Sequence, residues 1–543
     1  MTELASDASA GKPAPAAIPP LDISFVDDPR VQKEAAAEDY SVHVMPRTWR
    51  SGRTSLLMAF GSMFSAMFWL YVAATVAAVA GTVNAVIGIV LTGLTKGAMN
   101  FVLSRYASRS GLTVALLSRR IFGYAGSILA PLIFAATALY YGVFEGSIVA
   151  VALQSFVGGG DIRLWYLLVV AYSVPLILGG VRTWLDKLNG VLLPFYVAGL
   201  IALVAVASSS HPASIALPDM HTDLAGPGWL WAFSVYMGVY ILMMYTVDFA
   251  RFGKAKDETF HGIVTFGPVF YLLTYLGTGL VGIFLTATIP GVLGTAGITE
   301  TGIVEAVIGT LGLAGLLLIV ISQTRINSAN LYLASTNLEA LTSRVFRVRL
   351  PRIVWAVVAG VLVYALMLTD VLSYLLRALS WQGVFVVAWV AIALTHIALH
   401  RRTEGAAPEF RPGRLRRVTP AAAVWVVVSL IGILLVELTG PFGATWSAPI
   451  TFILSAAGYA LVYRFDALLH RPSDPRAEVA DAWEARIRCH VCDRSYTAVE
   501  MDRDPSAGHE AICAGCATAS PSFYRAARIE AASTHIPTPQ QAV

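Results

Sequence analysis

Charge is scarce in this chain. Asp, Glu, Lys and Arg make up 13% of its 543 residues and apolar residues 56%, against roughly 25% and 45–50% in soluble domains. That balance excludes a string of soluble domains. Cysteine numbers only four, all beyond position 488. Phosphate-cradling glycine loops, an HExxH helix and a nucleophile elbow are missing, so no enzyme is expected. The net charge of +4 is small, and it reflects loop asymmetry rather than a nucleic-acid partner.

What the chain has instead is long hydrophobic runs. About 20 apolar residues cross a bilayer, and twelve such segments stand at 54–80, 84–103, 125–153, 164–180, 189–207, 229–249, 262–288, 303–338, 353–369, 371–398, 420–438 and 446–465. The expected fold class is an all-α polytopic membrane protein with twelve transmembrane helices. Basic residues gather in alternate loops. Arg105, Arg109, Arg119, Arg120, Arg182, Lys187, Arg251, Lys254, Lys256, Arg344, Arg347, Arg349 and Arg352 follow segments 2, 4, 6 and 8, and Arg401, Arg402, Arg411, Arg414, Arg416 and Arg417 follow segment 10. The opposite loops hold only Arg163. Both termini are therefore expected in the cytoplasm, with the protein in the inner or plasma membrane.

Residues 1–45 are rich in Ala, Pro and acidic side chains, which reads as a disordered cytoplasmic tail. The twelve-helix domain is expected at 46–465 and a second cytoplasmic tail at 466–543. That tail holds Cys489, Cys492, Cys513 and Cys516 in the spacing C-x2-C-x20-C-x2-C. Two such knuckles suit a tetrahedral metal in a zinc-ribbon-like module at about 486–520. Four thiolates leave no open position, so the zinc is expected to be structural; iron would use similar ligands. A cytoplasmic protein is the expected partner of that module.

Residues 323–337, QTRINSANLYLASTN, follow the apolar run LGLAGLLLIVIS, so polar groups must lie at membrane depth. A charge at the bilayer centre costs at least about 2.5 kcal/mol and usually marks a pathway. At 100° per residue Gln323, Asn327 and Asn330 share one helix face and Arg325 points away. Glu145 lies in the middle of segment 3, with Tyr141 on the same face. It would accept a substrate hydrogen bond, carry a proton, or form a structural ion pair with Arg325. Segments 1 and 6 are interrupted at GSMFSAMFW (61–69) and at Gly238 between Tyr236 and Tyr240. Paired interruptions of this kind point to substrate sites. Asp248 and Arg251 end segment 6 and read as a structural or gating pair.

In combination these residues resemble the nucleobase–cation symporter family of purine, cytosine and allantoin permeases. The resemblance rests on Pro46-Arg47-Thr48-Trp49, GLTVALLSRRIFGYAGS (111–127), GVRTWLDKLNGVLLP (180–194), VDFARF (247–252) and NSANLYLAS (327–335), and it spans about 46–398. It implies a five-plus-five inverted repeat with two extra helices and a midplane site for a planar heterocycle. It also implies that Asn330 bonds the ring and that Tyr140 and Tyr240 stack on it. Sodium-coupled members use helix 8 hydroxyls where this chain has Thr324 and Arg325, so a guanidinium stands at the ion position. The expected activity is uptake that is sodium-independent and proton-coupled through Glu145. The alternatives are a sodium-coupled symporter, a facilitator or exchanger, and a membrane sensor signalling through the zinc module.

Overall fold

A computed structural model describes residues 18–217, 224, 226–293, 298–346, 350–369, 371–400, 408–465 and 468–533. The chain divides into two compact units. The larger is Gln32–Phe410 with Leu415–Leu468; the smaller joins Met1–Val31, Arg411–Arg414 and Leu469–Val543.

After α1 (Pro29–Glu38), the larger unit runs α2 (Arg53–Phe60), α3 (Met67–Ala80), α4 (Thr82–Ser110), α5 (Val114–Phe122), α6 (Leu129–Val157), α7 (Ile162–Leu176) and α8 (Asp186–Ser210). There follow α9 (Gly228–Met237), α10 (Ile241–Ala250), α11 (Glu258–Phe260), α12 (Pro268–Tyr271), α13 (Thr278–Thr288), α14 (Glu300–Leu311), α15 (Leu313–Val345), α16 (Arg352–Met367) and α17 (Val371–His400). The hairpin α18 (Pro420–Leu438) and α19 (Pro441–Val462) completes it.

Each of the twelve apolar segments carries helix, as hydrocarbon demands of a backbone with no water to bond. Among the described residues seven helices are singly long and apolar enough to cross a membrane, or up to nine counting two bent pairs. The bent pairs are Arg53–Ser65 with Met67–Ala80, at 46°, and Gly228–Met237 with Ile241–Ala250, at 44°. Both fall where Gly and Ser interrupt the apolar pattern. At the first, Ala66 is extended (φ −59, ψ 130), and the hydroxyls of Ser62 and Ser65 take the carbonyls of Ala59 and Ser62 at 2.9 and 2.8 Å. The most extensive helix pairing is α6 with α15. It places the Glu145 segment against the polar stretch.

The expected disordered tail departs from this picture. Of its described residues, Pro29–Glu38 are helical, and Asp39, Tyr40, Ser41, Val44 and Met45 are buried. Composition had pointed to disorder, but the packing partners lie far away in sequence. Asp39 accepts hydrogen bonds from the Val181 N–H at 2.7 Å and the Tyr332 hydroxyl at 3.0 Å. Ser41 donates to Glu339 at 2.6 Å.

The smaller unit is built from three stretches of chain. Its first sheet orders β1 (Ile23–Ser24), β2 (Arg486–Arg488) and β3 (Ser495–Thr497), all antiparallel, with Ile23 opposite Ile487. A second sheet pairs β4 (Met501–Asp504) with β5 (Glu510–Cys513), followed by α20 (Ala514–Ala519) and α21 (Pro521–Ser533). The C-terminal module is therefore not complete within 466–543; the N-terminal strand and Arg411–Arg414 belong to it. Buried ion pairs supplement a small apolar core. Arg471 bonds Asp502 at 2.7 Å and Glu530 at 2.6 Å, and Arg411 bonds Asp474 at 2.6 Å.

Candidate functional site

The two helix breaks organise the polar interior. At the first, the chain leaves α2 through the turn Gly61–Ser65 and re-enters helix at Met67, so backbone groups lose their helical partners. The polar stretch of α15 takes them up. Ser65 donates to the Ser322 carbonyl at 3.2 Å, and the Ser322 hydroxyl donates back to the Ser65 carbonyl. The Gln323 side chain accepts the Met67 N–H at 3.2 Å, and its amide nitrogen donates to the Glu145 carboxylate. One amide thus joins the helix 1 break to the mid-membrane carboxylate. Glu145 and Gln323 are both buried.

Arg325 leaves α15 on the other side. Its Nη2 donates to the Gly61 carbonyl at 3.0 Å, and its Cζ lies 5.7 Å from the Tyr196 ring centroid. Its Nε and Nη1 are buried without a partner. No ion pair joins Arg325 to Glu145 among the described residues, because α15 projects Gln323 and Arg325 in different directions. The structural-pair expectation fails on that point. Thr324 meets Tyr172 of α7, hydroxyl to hydroxyl, at 3.2 Å.

Asn330 accepts from the Tyr245 hydroxyl of α10 at 2.9 Å, leaving its Nδ2 buried and unpaired. Asn327 lies against Gly142 and Gly146 of α6, where an added Cβ would come within 3.5 Å of its amide; its Oδ1 is unpaired. Tyr140 is half-buried on α6. The Tyr240 ring stands 5.1 Å from Lys96 Nζ and 6.4 Å from the Phe452 ring. Phe68 packs on the Glu145 helix, 6.0 Å from Tyr141 and 5.7 Å from Phe144.

Asp248 and Arg251 do not form a side-chain ion pair. Asp248 accepts the Val114 N–H at 2.8 Å, capping α5, while Arg251 donates to the Asp248 backbone carbonyl at 3.0 Å and to the Tyr40 carbonyl at 3.2 Å. Their spacing of three along a helix allowed a pair; competing backbone groups took both ends.

No protein-family model matches the sequence, and no curated protein matches it. Among solved structures, MHP1, a nucleobase-cation-symport-1 family transporter in a closed conformation with bromovinylhydantoin bound, aligns at TM-score 0.61 and 16% identity. The alignment covers 82% of this chain and 96% of that one. The chain has the fold of that transporter.

A Na+-coupled sialic acid symporter aligns at TM-score 0.49 and 13% identity, covering 80% of this chain and 94% of that one. A manganese transporter of Eremococcus coleocola aligns at 0.48 and 12%, covering 82% and 99%. At those scores neither adds to the assignment. With this fold and its apolar helices the chain is a multi-pass membrane protein, and the protein whose fold it shares is a transporter, not an enzyme.

One residue of this transporter fold escaped sequence reasoning. Lys96, at the centre of α4, is fully buried. A lone Lys inside an apolar 20-residue run is the same signal that singled out Arg325.

In the smaller unit, Cys489, Cys492, Cys513 and Cys516 bring their sulfurs within 4.8 Å of one another. The Cys513 N–H donates to the Cys489 sulfur, joining the two knuckles, and the Cys516 N–H donates to the Cys513 sulfur within the second, both at 3.3 Å. Four convergent thiols on two knuckles fit a tetrahedral metal ion.

Proposed function

We propose that the protein is a secondary transporter importing a nucleobase or related planar heterocycle, coupled to protons and independent of sodium. The observation that carries this reading is the Gln323 amide, shared between the Met67 N–H at the helix 1 break and the Glu145 carboxylate. A carboxylate whose side-chain partner is a neutral amide can take up a proton without breaking an ion pair. Its proton would then be sensed directly at the broken helix. Arg325, on the Gly61 carbonyl, supplies a fixed cation where freed helix 1 carbonyls would otherwise attract an inorganic one.

Support for a heterocycle comes from the unpaired buried amide groups. Asn330 Nδ2 is a donor and Asn327 Oδ1 an acceptor, and buried polar groups normally have partners. The amide edge of a nucleobase, ureide or hydantoin offers both complements. Tyr140, half-buried on the Glu145 helix, is the ring proposed to stack on such a ligand. The cysteine group would hold a structural zinc ion.

Uptake of labelled cytosine, uracil, purines, allantoin and hydantoin into proteoliposomes tests the proposal. Accumulation is expected with an inward proton gradient and without sodium. A sodium requirement sinks the Arg325 argument. Binding with no accumulation moves the reading to a ligand sensor.

A further inference from the structure

Three polar residues of α4, Thr92, Lys96 and Asn100, recur every fourth position and so share one face. Each grips the interrupted pair α9–α10. Thr92 donates to the Phe233 carbonyl at 3.2 Å, before the break. Asn100 donates to the Thr246 hydroxyl at 2.7 Å, after it, and to the Tyr271 hydroxyl at 2.9 Å. Lys96 sits between them, on the break itself. Its Nζ donates to the Tyr236 carbonyl at 2.7 Å, to the Val239 carbonyl and to the Tyr275 hydroxyl at 3.2 Å. All three ammonium hydrogens are used, and among the described residues no carboxylate is bonded to it. The ring faces of Tyr240 and Tyr275, at 5.1 and 5.3 Å, complete a cage suited to a cation.

We infer that Lys96 is a tethered cation that fixes the bend of the second broken helix, filling the place a monovalent metal or ammonium ion would take on the carbonyls of Tyr236 and Val239 at the break. Lys96 is a positioning residue, acting through the backbone it holds. Tyr275 extends its reach to the other break. The Tyr275 ring stands 4.9 Å from Trp69, whose indole N–H donates to the Met63 carbonyl at 2.8 Å. A path of four contacts therefore runs from the Gly61–Ser65 turn through Trp69, Tyr275 and Lys96 to the break at Gly238. The functional half of this inference rests on the transport reading; the structural half does not.

Hydrogen–deuterium exchange of the full chain in nanodiscs separates the two. Lys96→Met keeps the length of the side chain and removes its charge. Amides of 236–243 are expected to exchange at least tenfold faster in Lys96→Met than in the parent, with α4 and α13 unchanged. In Lys96→Ala, methylammonium chloride is expected to restore slow exchange, and in proteoliposomes to restore uptake that sodium chloride at equal strength does not. Parent-like exchange in Lys96→Met overturns the inference whatever the protein transports. So does folded Lys96→Ala whose exchange ignores methylammonium. A parent protein that moves no heterocycle, with the exchange result as expected, sinks the transport reading alone.

Discussion

Gln323 donates to the carboxylate of Glu145 from one end of its amide while the other end holds the Met67 N–H at 3.2 Å. Three membrane helices are thereby tied by one neutral side chain. Protonating Glu145 removes the charge that strengthens the first bond, and hydrogen bonds to charged groups contribute roughly 1.5–3 kcal/mol. Glu145→Gln should therefore abolish accumulation driven by a proton gradient while leaving exchange of internal for external substrate. Counterflow and gradient-driven uptake on the same vesicles measure the difference. Retained pH-driven accumulation would remove Glu145 from the coupling step.

Arg325 bonds the carbonyl of Gly61 at 3.0 Å. Truncation to Ala empties the place beside the Gly61 carbonyl. Uptake by Arg325→Ala is expected to become several-fold stimulated by sodium, whereas the parent ignores it. Paired assays in sodium and choline salts decide this, and equal rates in both would count against a resident-cation role.

Asp39 is buried with its carboxylate on Val181 and Tyr332, and the charges of Arg352 and Arg251 act on it. Removing one member of such a buried arrangement typically costs about 3–5 kcal/mol. Asp39→Ala should lower the melting temperature in detergent by several degrees. Deleting residues 1–17 should not, because Asp39 and its partners remain.

Metal removal should act on both termini at once. Structural zinc contributes apparent binding energies of roughly 10–16 kcal/mol to small domains, and β1 of the N-terminal region pairs with β2, which ends at the residue before Cys489. A chelator, or Cys489→Ser with Cys513→Ser, is expected to release one equivalent of metal and to expose Ile23–Ser24 to limited proteolysis. Proteolysis unchanged by metal loss would show that the sheet stands without it.

Acid should weaken the same unit. Burial by itself raises the Asp474 carboxyl, but the hydrogen bonds and charge of Arg411, with the charge of Arg414, outweigh it and leave it below the usual carboxylate range. A depressed carboxylate contributes stability that is complete above its unfolded value, near 3.9, and is lost as pH falls through its folded one. Asp474→Asn should cost about 1–3 kcal/mol at pH 7, and the gap to the parent should narrow as pH falls below the unfolded value. Thermal melts across that range give the comparison.

Much of the fold was legible because hydrocarbon imposes simple rules. Apolar runs had to be helices, and Gly and Ser within them became the breaks at Gly61–Ser65 and Gly238. The four cysteines declared their cluster by spacing. The division of α15 into an amide face and an Arg325 face followed from helical periodicity alone. Partners were not legible. That Tyr240 would lie against Lys96 could not be read from the sequence, since which face of α9–α10 meets α4 depends on packing of distant segments.

The sequence by itself determined that this chain crosses a membrane many times, breaks two of its helices, buries Glu145 and Arg325, and gathers four thiols. Those features depend on local composition and fixed periodicity. Only the tertiary structure decided what each buried charge is bonded to. Glu145 meets Gln323 rather than Arg325, Arg325 and Lys96 each settle on carbonyls of a different broken helix, and the N-terminal strand joins the C-terminal module. A buried polar group must find a partner wherever the fold brings one within about 3 Å, and no periodicity along the chain encodes that choice.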